Sequence, residues 1–383
     1  MSRAFLAGIA ILLSSAAAQA QSAEQKTWDE TLAAARKEGK VVVAGPPDTQ
    51  VRQLLPAAFE ARYGVKMEYI TGRGSDQGAK LRTERNAGIF TADAVLAGSQ
   101  TLFTVIHREK MLAPLKPELV LPEVTDGKHW KRGSLWFPDP EQQYILRIFN
   151  TVREAFMINT DKVKPEDVRR YSDLLDPRWK GKISFLDPAR SGTGSNQVAM
   201  IYEQFGEDFV KKLLVDQDAM ISRERRQLTD GVLRGNYPIS FGAEDGEMER
   251  LQAEGHPVKT IYSLEDMPGS ISGGNMIGLI DKAPHPNAAK VFVNWMASKE
   301  GSEIYGRALK MVPARTDIDA ASFMPREVIP QPGVKYFDVF DYNHGNRQRG
   351  NTASCERLSA TLTASYKEQH GPKKFRRRCQ AAL

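Results

Sequence analysis

Residues 40–48 read Lys40-Val41-Val42-Val43-Ala44-Gly45-Pro46-Pro47-Asp48. Four consecutive apolar residues, three of them β-branched, form a short strand buried on both faces, and Gly-Pro-Pro ends it abruptly. Asp48 offers a carboxylate to the unpaired amides of a helix. Val51, Leu54, Leu55, Ala58 and Phe59 follow at helical spacing as far as Gly64. Upstream, Trp28–Glu38 reads as a helix with Trp28, Leu32 and Ala35 on one face, stopped by Gly39. Downstream, Val65–Ile70 is a second strand, Asp76–Asn86 a second helix and Ala92–Leu96 a third strand. Strands alternating with helices predict βαβ units and a mainly parallel sheet covered on both faces.

The pattern breaks at Pro114–Pro140, a stretch rich in proline and aromatics, and Tyr144–Asn159 is apolar and longer than one strand. We read it as a crossing into a second lobe. There the alternation resumes, with a short helix at Leu174 and Leu175 and strands at Ile183–Leu186, Ile239–Phe241 and Val258–Tyr262. Helices are expected at Gln197–Phe205, Phe209–Val215 and Glu247–Glu254. Met276–Ile280 is a return strand, followed by amphipathic helices at Asn287–Met296 and Glu300–Leu309. The expected fold class is therefore α/β, with two lobes, each a mainly parallel sheet flanked by helices. Two crossings make a hinge around a ligand cleft.

Composition agrees with this reading. The chain has 383 residues, 41% hydrophobic and 26% charged, with a net charge of +6. That excludes a disordered or collagen-like chain, and 2 cysteines exclude a disulfide-knotted miniprotein. Arg3, the apolar run Ala4–Leu13 and the small-x-small triplet Ala18-Gln19-Ala20 read as a signal peptide cleaved after Ala20, which places the mature protein in the periplasm. No later stretch approaches 18 uninterrupted apolar residues. In an oxidising compartment, Cys355 and Cys379 are expected to form a disulfide rather than a metal site. The expected organisation is a leader at 1–20, a discontinuous first lobe at 21–150 plus 276–345, a second lobe at 151–275, and a basic extension at 346–383.

Four segments carry a resemblance: Trp28–Val43 (WDETLAAARKEGKVVV), Tyr171–Pro188 (YSDLLDPRWKGKISFLDP), Leu251–Tyr262 (LQAEGHPVKTIY) and His285–Gly301 (HPNAAKVFVNWMASKEG). In this order they resemble the bacterial extracellular solute-binding proteins of ABC importers, family 1, within the cluster of ferric-ion, thiamine, putrescine and phosphonate binders. The resemblance covers about residues 28–310. It implies a type II periplasmic binding protein fold, a ligand in the interlobe cleft, and delivery to an inner-membrane permease driven by a cytoplasmic ATPase.

In a parallel α/β sheet, ligands bind beyond the carboxyl ends of the strands, against helix N-termini. Four loops lie there: Gly45–Asp48, Thr71–Ser75, Ala97–Gln100 and Arg190–Asn196. Their glycines let backbone amides approach a ligand, and Arg73 and Arg190 each offer a two-pronged contact to a carboxylate or phosph(on)ate. The expected ligand contacts are Arg73, Gly74, Ser75, Ser99, Arg190, Thr193 and Ser195, with Glu244 able to hold an ammonium. Asp245 reads instead as a helix-capping carboxylate. Ser240 and Asn275 are further polar candidates that serve equally as turn chemistry. Trp136, Phe137 and Tyr144 are more naturally core than cleft wall.

The iron-binding members use adjacent tyrosines after the strand matching Ile239–Phe241. Here the chain reads Phe241-Gly242-Ala243-Glu244-Asp245, with no Tyr-Tyr pair anywhere. Catalysis is not expected: there is no Gly-x-Ser-x-Gly elbow and no His-Glu-x-x-His. The run Lys373–Arg378 holds a single aromatic and does not point to nucleic acid. The expectation is a monomeric, non-enzymatic periplasmic protein without cofactor, closing on a small anionic or zwitterionic solute. A ferric, polyamine or thiamine cargo is the alternative, as is a sensor subunit for a receptor kinase.

Overall fold

The computed structural model describes residues 25–338, except 189–192, 244, 268 and 273. Arg190, Glu244, Cys355, Cys379, the cleavage site and the basic run lie outside the described residues. Ser75 and Ser195 are placed by their backbone alone. The chain divides into two compact units, one from the start to Thr151 plus Gly273–Ile329, the other Val152–Ser272 plus Pro330 onward.

In chain order the strands are β1 (Lys40–Gly45), β2 (Lys66–Thr71), β3 (Ala94–Ala97), β4 (Leu112–Ala113), β5 (Ile145–Leu146), β6 (Thr151–Arg153) and β7 (Phe156–Asn159). They continue as β8 (Ile183–Leu186), β9 (Met220–Ser222), β10 (Ile239–Phe241), β11 (Val258–Ile261), β12 (Ser270–Ser272), β13 (Met276–Ile280) and β14 (Phe337–Asp338).

The sheet of the first unit runs β2-β1-β3-β13-β4, with β5 also on β13. β1 pairs in parallel with β2 and β3, whereas β13 is antiparallel to β3, β4 and β5. The sheet of the second unit runs β11-β7-β10-β8-β9. β8 is parallel to β9 and β10, and β7 is antiparallel to β10 and β11. Each sheet is thus mainly parallel with a single reversed strand. The reversed strands, β7 and β13, come from the two segments read as crossings. Residues 330–338 group with the second unit rather than with the first lobe as expected, and β14 pairs there with β12.

In the first unit the helix Thr49–Tyr63 starts as the sequence predicts, with Asp48 Oδ1 accepting from the Val51 amide at 2.8 Å, and it stops at Gly64 in the left-handed conformation. Its buried stripe is Val51, Leu55, Phe59 and Tyr63, one residue per turn. Leu54 lies about 100° around the helix from Leu55 and is 47% exposed, so it is not part of the core as expected. Phe59 packs on Trp295 and Phe292, with ring centroids 5.3 and 6.1 Å away. Burying side chains of this size contributes roughly 1.5–3 kcal/mol each.

In the second unit the register sets Phe185 beside Phe241, and their rings stack at 4.0 Å. Phe156 and Tyr171 complete this aromatic centre.

The amino edge of the first sheet is closed by one buried carboxylate. Asp93 accepts from the amides of Val42 (2.7 Å) and His285 (2.8 Å), and His285 Nδ1 lies 2.9 Å away. Burial pushes the Asp93 carboxyl above its ordinary pKa, against the pull of those hydrogen bonds.

Candidate functional site

The carboxyl edge of the first sheet gathers the loops after β1, β2 and β3. The Gly72 amide donates to the Gly45 carbonyl at 3.0 Å, and Gln77 Nε2 donates to that same oxygen. Gln77 is buried, and no partner is found for its Oε1. A Cβ at Gly74 would lie 2.3 Å from Thr101 Oγ1, so only glycine lets the helix Gly74–Asn86 start against the helical turn Ser99–Thr101. Arg73 is the exposed N-cap of the first helix, its side chain making no capping bond. Ser99, half-buried, opens the second. The structure thus brings Arg73, Gly74 and Ser99 together.

Two phenols stand at the same edge. Tyr69 Oη donates to the Pro46 carbonyl at 3.2 Å, and its ring fills the space beside Gly45. Tyr305 is fully buried, with its hydroxyl beside Asn275. Burial pushes both phenols above their ordinary pKa; the Asp48 charge adds to this at Tyr69, and the neighbouring Tyr69 adds to it at Tyr305.

The carboxyl edge of the second sheet gathers the loops after β8, β9 and β10. Thr193 is half-buried at the first residue of the helix Thr193–Phe205. A Cβ at Gly194 would lie 2.4 Å from the Leu186 carbonyl oxygen, which is how closely this helix begins against the end of β8. Gly242, at φ +90°, turns the chain after β10 beside Leu186. Arg225 opens the helix Arg225–Leu233, and its Nε donates to the Gly242 carbonyl at 3.0 Å. Arg223, 66% exposed, pairs with Asp187 at 3.0 Å.

Arg223 and Arg225 were missed in the sequence because β9 was missed. Met220-Ile221-Ser222 is too short to show a period, and Ile221 is 45% exposed. The available signal was the cluster Arg223-Glu224-Arg225-Arg226 preceding a helical pattern.

Other candidates have structural roles. Ser240 is fully buried within the sheet and bonded to Ser184 Oγ at 2.9 Å, so it is no solute contact. Phe137 is core. Trp136 lies between the guanidinium groups of Arg132 (4.1 Å) and Arg147 (3.7 Å), and Tyr144 packs on His107.

Residues 54–329 match the family described as bacterial extracellular solute-binding protein. The chain belongs to that family. As a solute-binding protein it holds its cargo and does not transform it. A Salmonella paratyphi A protein, provisionally named as a 2-aminoethylphosphonate-binding periplasmic protein, is 23% identical over 68% of this chain and 73% of its own length. A Trichodesmium protein (IdiA, FutA), solved in complex with iron and citrate, is 18% identical with a TM-score of 0.63, covering 85% of this chain and 99% of the other. AfuA from Actinobacillus pleuropneumoniae, solved with fructose-6-phosphate bound, is 20% identical with a TM-score of 0.53, covering 86% and 98%. This solute-binding protein thus has the α/β fold of the type II periplasmic binding proteins.

Proposed function

We propose that the protein is the periplasmic substrate-binding component of an ABC importer, exported by its N-terminal signal peptide. It captures a small anionic or zwitterionic organic solute of the carboxylate or phosph(on)ate type and delivers it to an inner-membrane permease. The observation that carries this reading is the placement of cations and helix starts. Arg73, Gly74 and Ser99 stand at the carboxyl edge of one sheet, and Thr193, Arg223 and Arg225 at that of the other. Guanidinium groups and backbone amides at helix starts bind oxyanions. Ser75, Arg190, Ser195 and Glu244 complete the proposed contacts from their places in the same loops. A relative named for a phosphonate and a neighbour solved with a sugar phosphate support the same chemistry, while others are named for or solved with iron.

Two alternatives fit less well. A polyamine or thiamine would meet like charge at both edges. Ferric ion needs hard anionic donors, and the loop after β10 reads Phe241-Gly242-Ala243-Glu244-Asp245, without the adjacent tyrosines of the iron binders.

The test is a thermal-shift screen of the mature protein against carboxylates, phosphonates, sugar phosphates, amines and ferric salts. A ligand at a hundred times its Kd stabilises by about 2.7 kcal/mol. Shifts from anionic solutes are expected, and shifts from amines or ferric salts alone would overturn the proposal.

A further inference from the structure

We propose that His107, Asp139 and Glu141 form a site for a divalent transition-metal ion of the zinc class on the first lobe, separate from the solute contacts. His107 is the last residue of the π-helical stretch Leu102–His107, which continues the turn beginning at Ser99. Nine helical residues span roughly 13 Å, which carries His107 away from the carboxyl edge.

The three residues can each place a ligand atom within 4.8 Å of the other two. His107 Nε2 lies 3.2 Å from Glu141 Oε2. Two ligands bound to one tetrahedral zinc at about 2.0–2.1 Å are roughly 3.3 Å apart, so this pair already has the separation of one edge of the tetrahedron.

The remaining ligands are held in place. Asp139 is buried, its Oδ1 accepting from the Gln143 amide (3.0 Å) and its Oδ2 from the amides of Tyr144 (3.2 Å) and Ile145 (3.0 Å). Oδ1, with one such bond, keeps a lone pair for a metal. The Tyr144 ring packs edge-on against the imidazole at 5.2 Å and limits its rotation. Glu141 is about half exposed and already in contact with His107. One imidazole nitrogen with two carboxylates suits zinc or cobalt, whereas calcium and magnesium prefer all-oxygen shells. A bound ion would clip the turn 139–145 to the end of the helical segment and stabilise the lobe through linkage.

The test uses the full secreted chain, oxidised and free of any affinity tag, with any remaining free thiol alkylated so that Cys355 and Cys379 cannot bind metal. One equivalent of Zn2+ is expected to bind, raising Tm by roughly 5–10 °C once well above Kd, with Mg2+ and Ca2+ inert. Co2+ should give the visible absorption of a low-coordinate site. Glu141→Gln, at a half-exposed position, should keep the metal-free Tm and weaken zinc binding at least tenfold, and His107→Gln should weaken it further. No shift in the wild type at about 0.1 mM zinc, or unchanged affinity in Glu141→Gln, overturns the proposal.

Discussion

Replacing Gly194 with alanine tests how closely the second lobe's binding edge is built. The added Cβ would sit 2.4 Å from the Leu186 carbonyl oxygen and 2.9 Å from that of Asp187. Both obstacles are backbone, and Leu186 is fixed in the sheet by pairing with Ser222. Ordinary contact with carbon needs about 3.5 Å, so the start of the helix Thr193–Phe205 must retreat by roughly 1 Å. Overpacking of this kind costs about 1–3 kcal/mol, or roughly 4–8 °C in Tm for a loss near 2 kcal/mol. The same retreat pulls the first amides of the helix away from the end of β8, and solute affinity should fall about tenfold or more. Gly98→Ala is the matched control. Its Cβ would meet nothing within 4 Å of the protein and its φ of −68° suits any residue, so as the control for stability it should stabilise by about 0.4–1 kcal/mol. Both variants are measured by thermal unfolding and by calorimetric titration with the solute found in the screen. A Gly194→Ala protein that melts within about 1 °C of wild type and binds normally would refute the reasoning.

Arg73→Ala should weaken anion binding strongly while leaving the ligand-free Tm nearly unchanged, because the side chain is exposed and caps nothing; a large loss of apo stability would make it structural. Arg225→Gln removes the donor to the Gly242 carbonyl and should lower both affinity and stability, the latter by about 1.5–3 kcal/mol in thermal unfolding; unchanged affinity would remove Arg225 from the proposed contacts. Asp317 is paired with the buried Arg315 through bonds of 2.9 and 2.7 Å. Burial opposes its ionisation, but Arg315 prevails and holds its carboxyl below the ordinary value. A depressed carboxylate stabilises the fold above its unfolded pKa of about 3.9, and that stability is lost as pH falls through the lower folded value. Asp317→Asn should therefore cost about 2–3 kcal/mol at neutral pH, and the gap from wild type should close in acid denaturation below that window. A pH-independent gap would contradict the assignment.

What could be read beforehand follows from what periodicity records. Ile183–Leu186, Ile239–Phe241 and Met276–Ile280 appear with the expected ends, because each is a short, mostly apolar run bounded by Lys, Pro, Gly, Asn or Asp. Strand direction leaves no trace in a hydropathy pattern, so the reversal of β7 and β13 emerges only from pairing. A three-residue strand with one exposed apolar residue, β9, falls below any window, and the arginines after it read as ordinary surface charge. Ser240 shows the opposite error. It follows a strand residue and precedes a glycine loop, yet strand alternation turns its side chain onto Ser184 inside the sheet. The places of Arg73 and Ser99 at helix starts were legible because the glycines around them mark the loops directly.

One unpaired polar atom at the first carboxyl edge bears on the choice of cargo. A guanidinium binds almost any oxyanion, so as proposed contacts Arg73 and Arg225 would specify charge and little else. Tyr69 donates to the Pro46 carbonyl and Tyr305 is fully buried, so neither phenol serves a solute, but Gln77 Oε1 has no partner among the described residues. An amide carbonyl offers a hydrogen bond without adding negative charge. An acceptor such as Gln77 Oε1 would be satisfied by a solute that also carries an ammonium or a hydroxyl. Among anions, then, one bearing its own donor, such as an aminophosphonate or a sugar phosphate, meets more of this edge than a bare carboxylate or inorganic phosphate. In the screen, 2-aminoethylphosphonate should stabilise the protein more than ethylphosphonate at equal concentration, and equal shifts would mean that Gln77 plays no part in choosing the cargo.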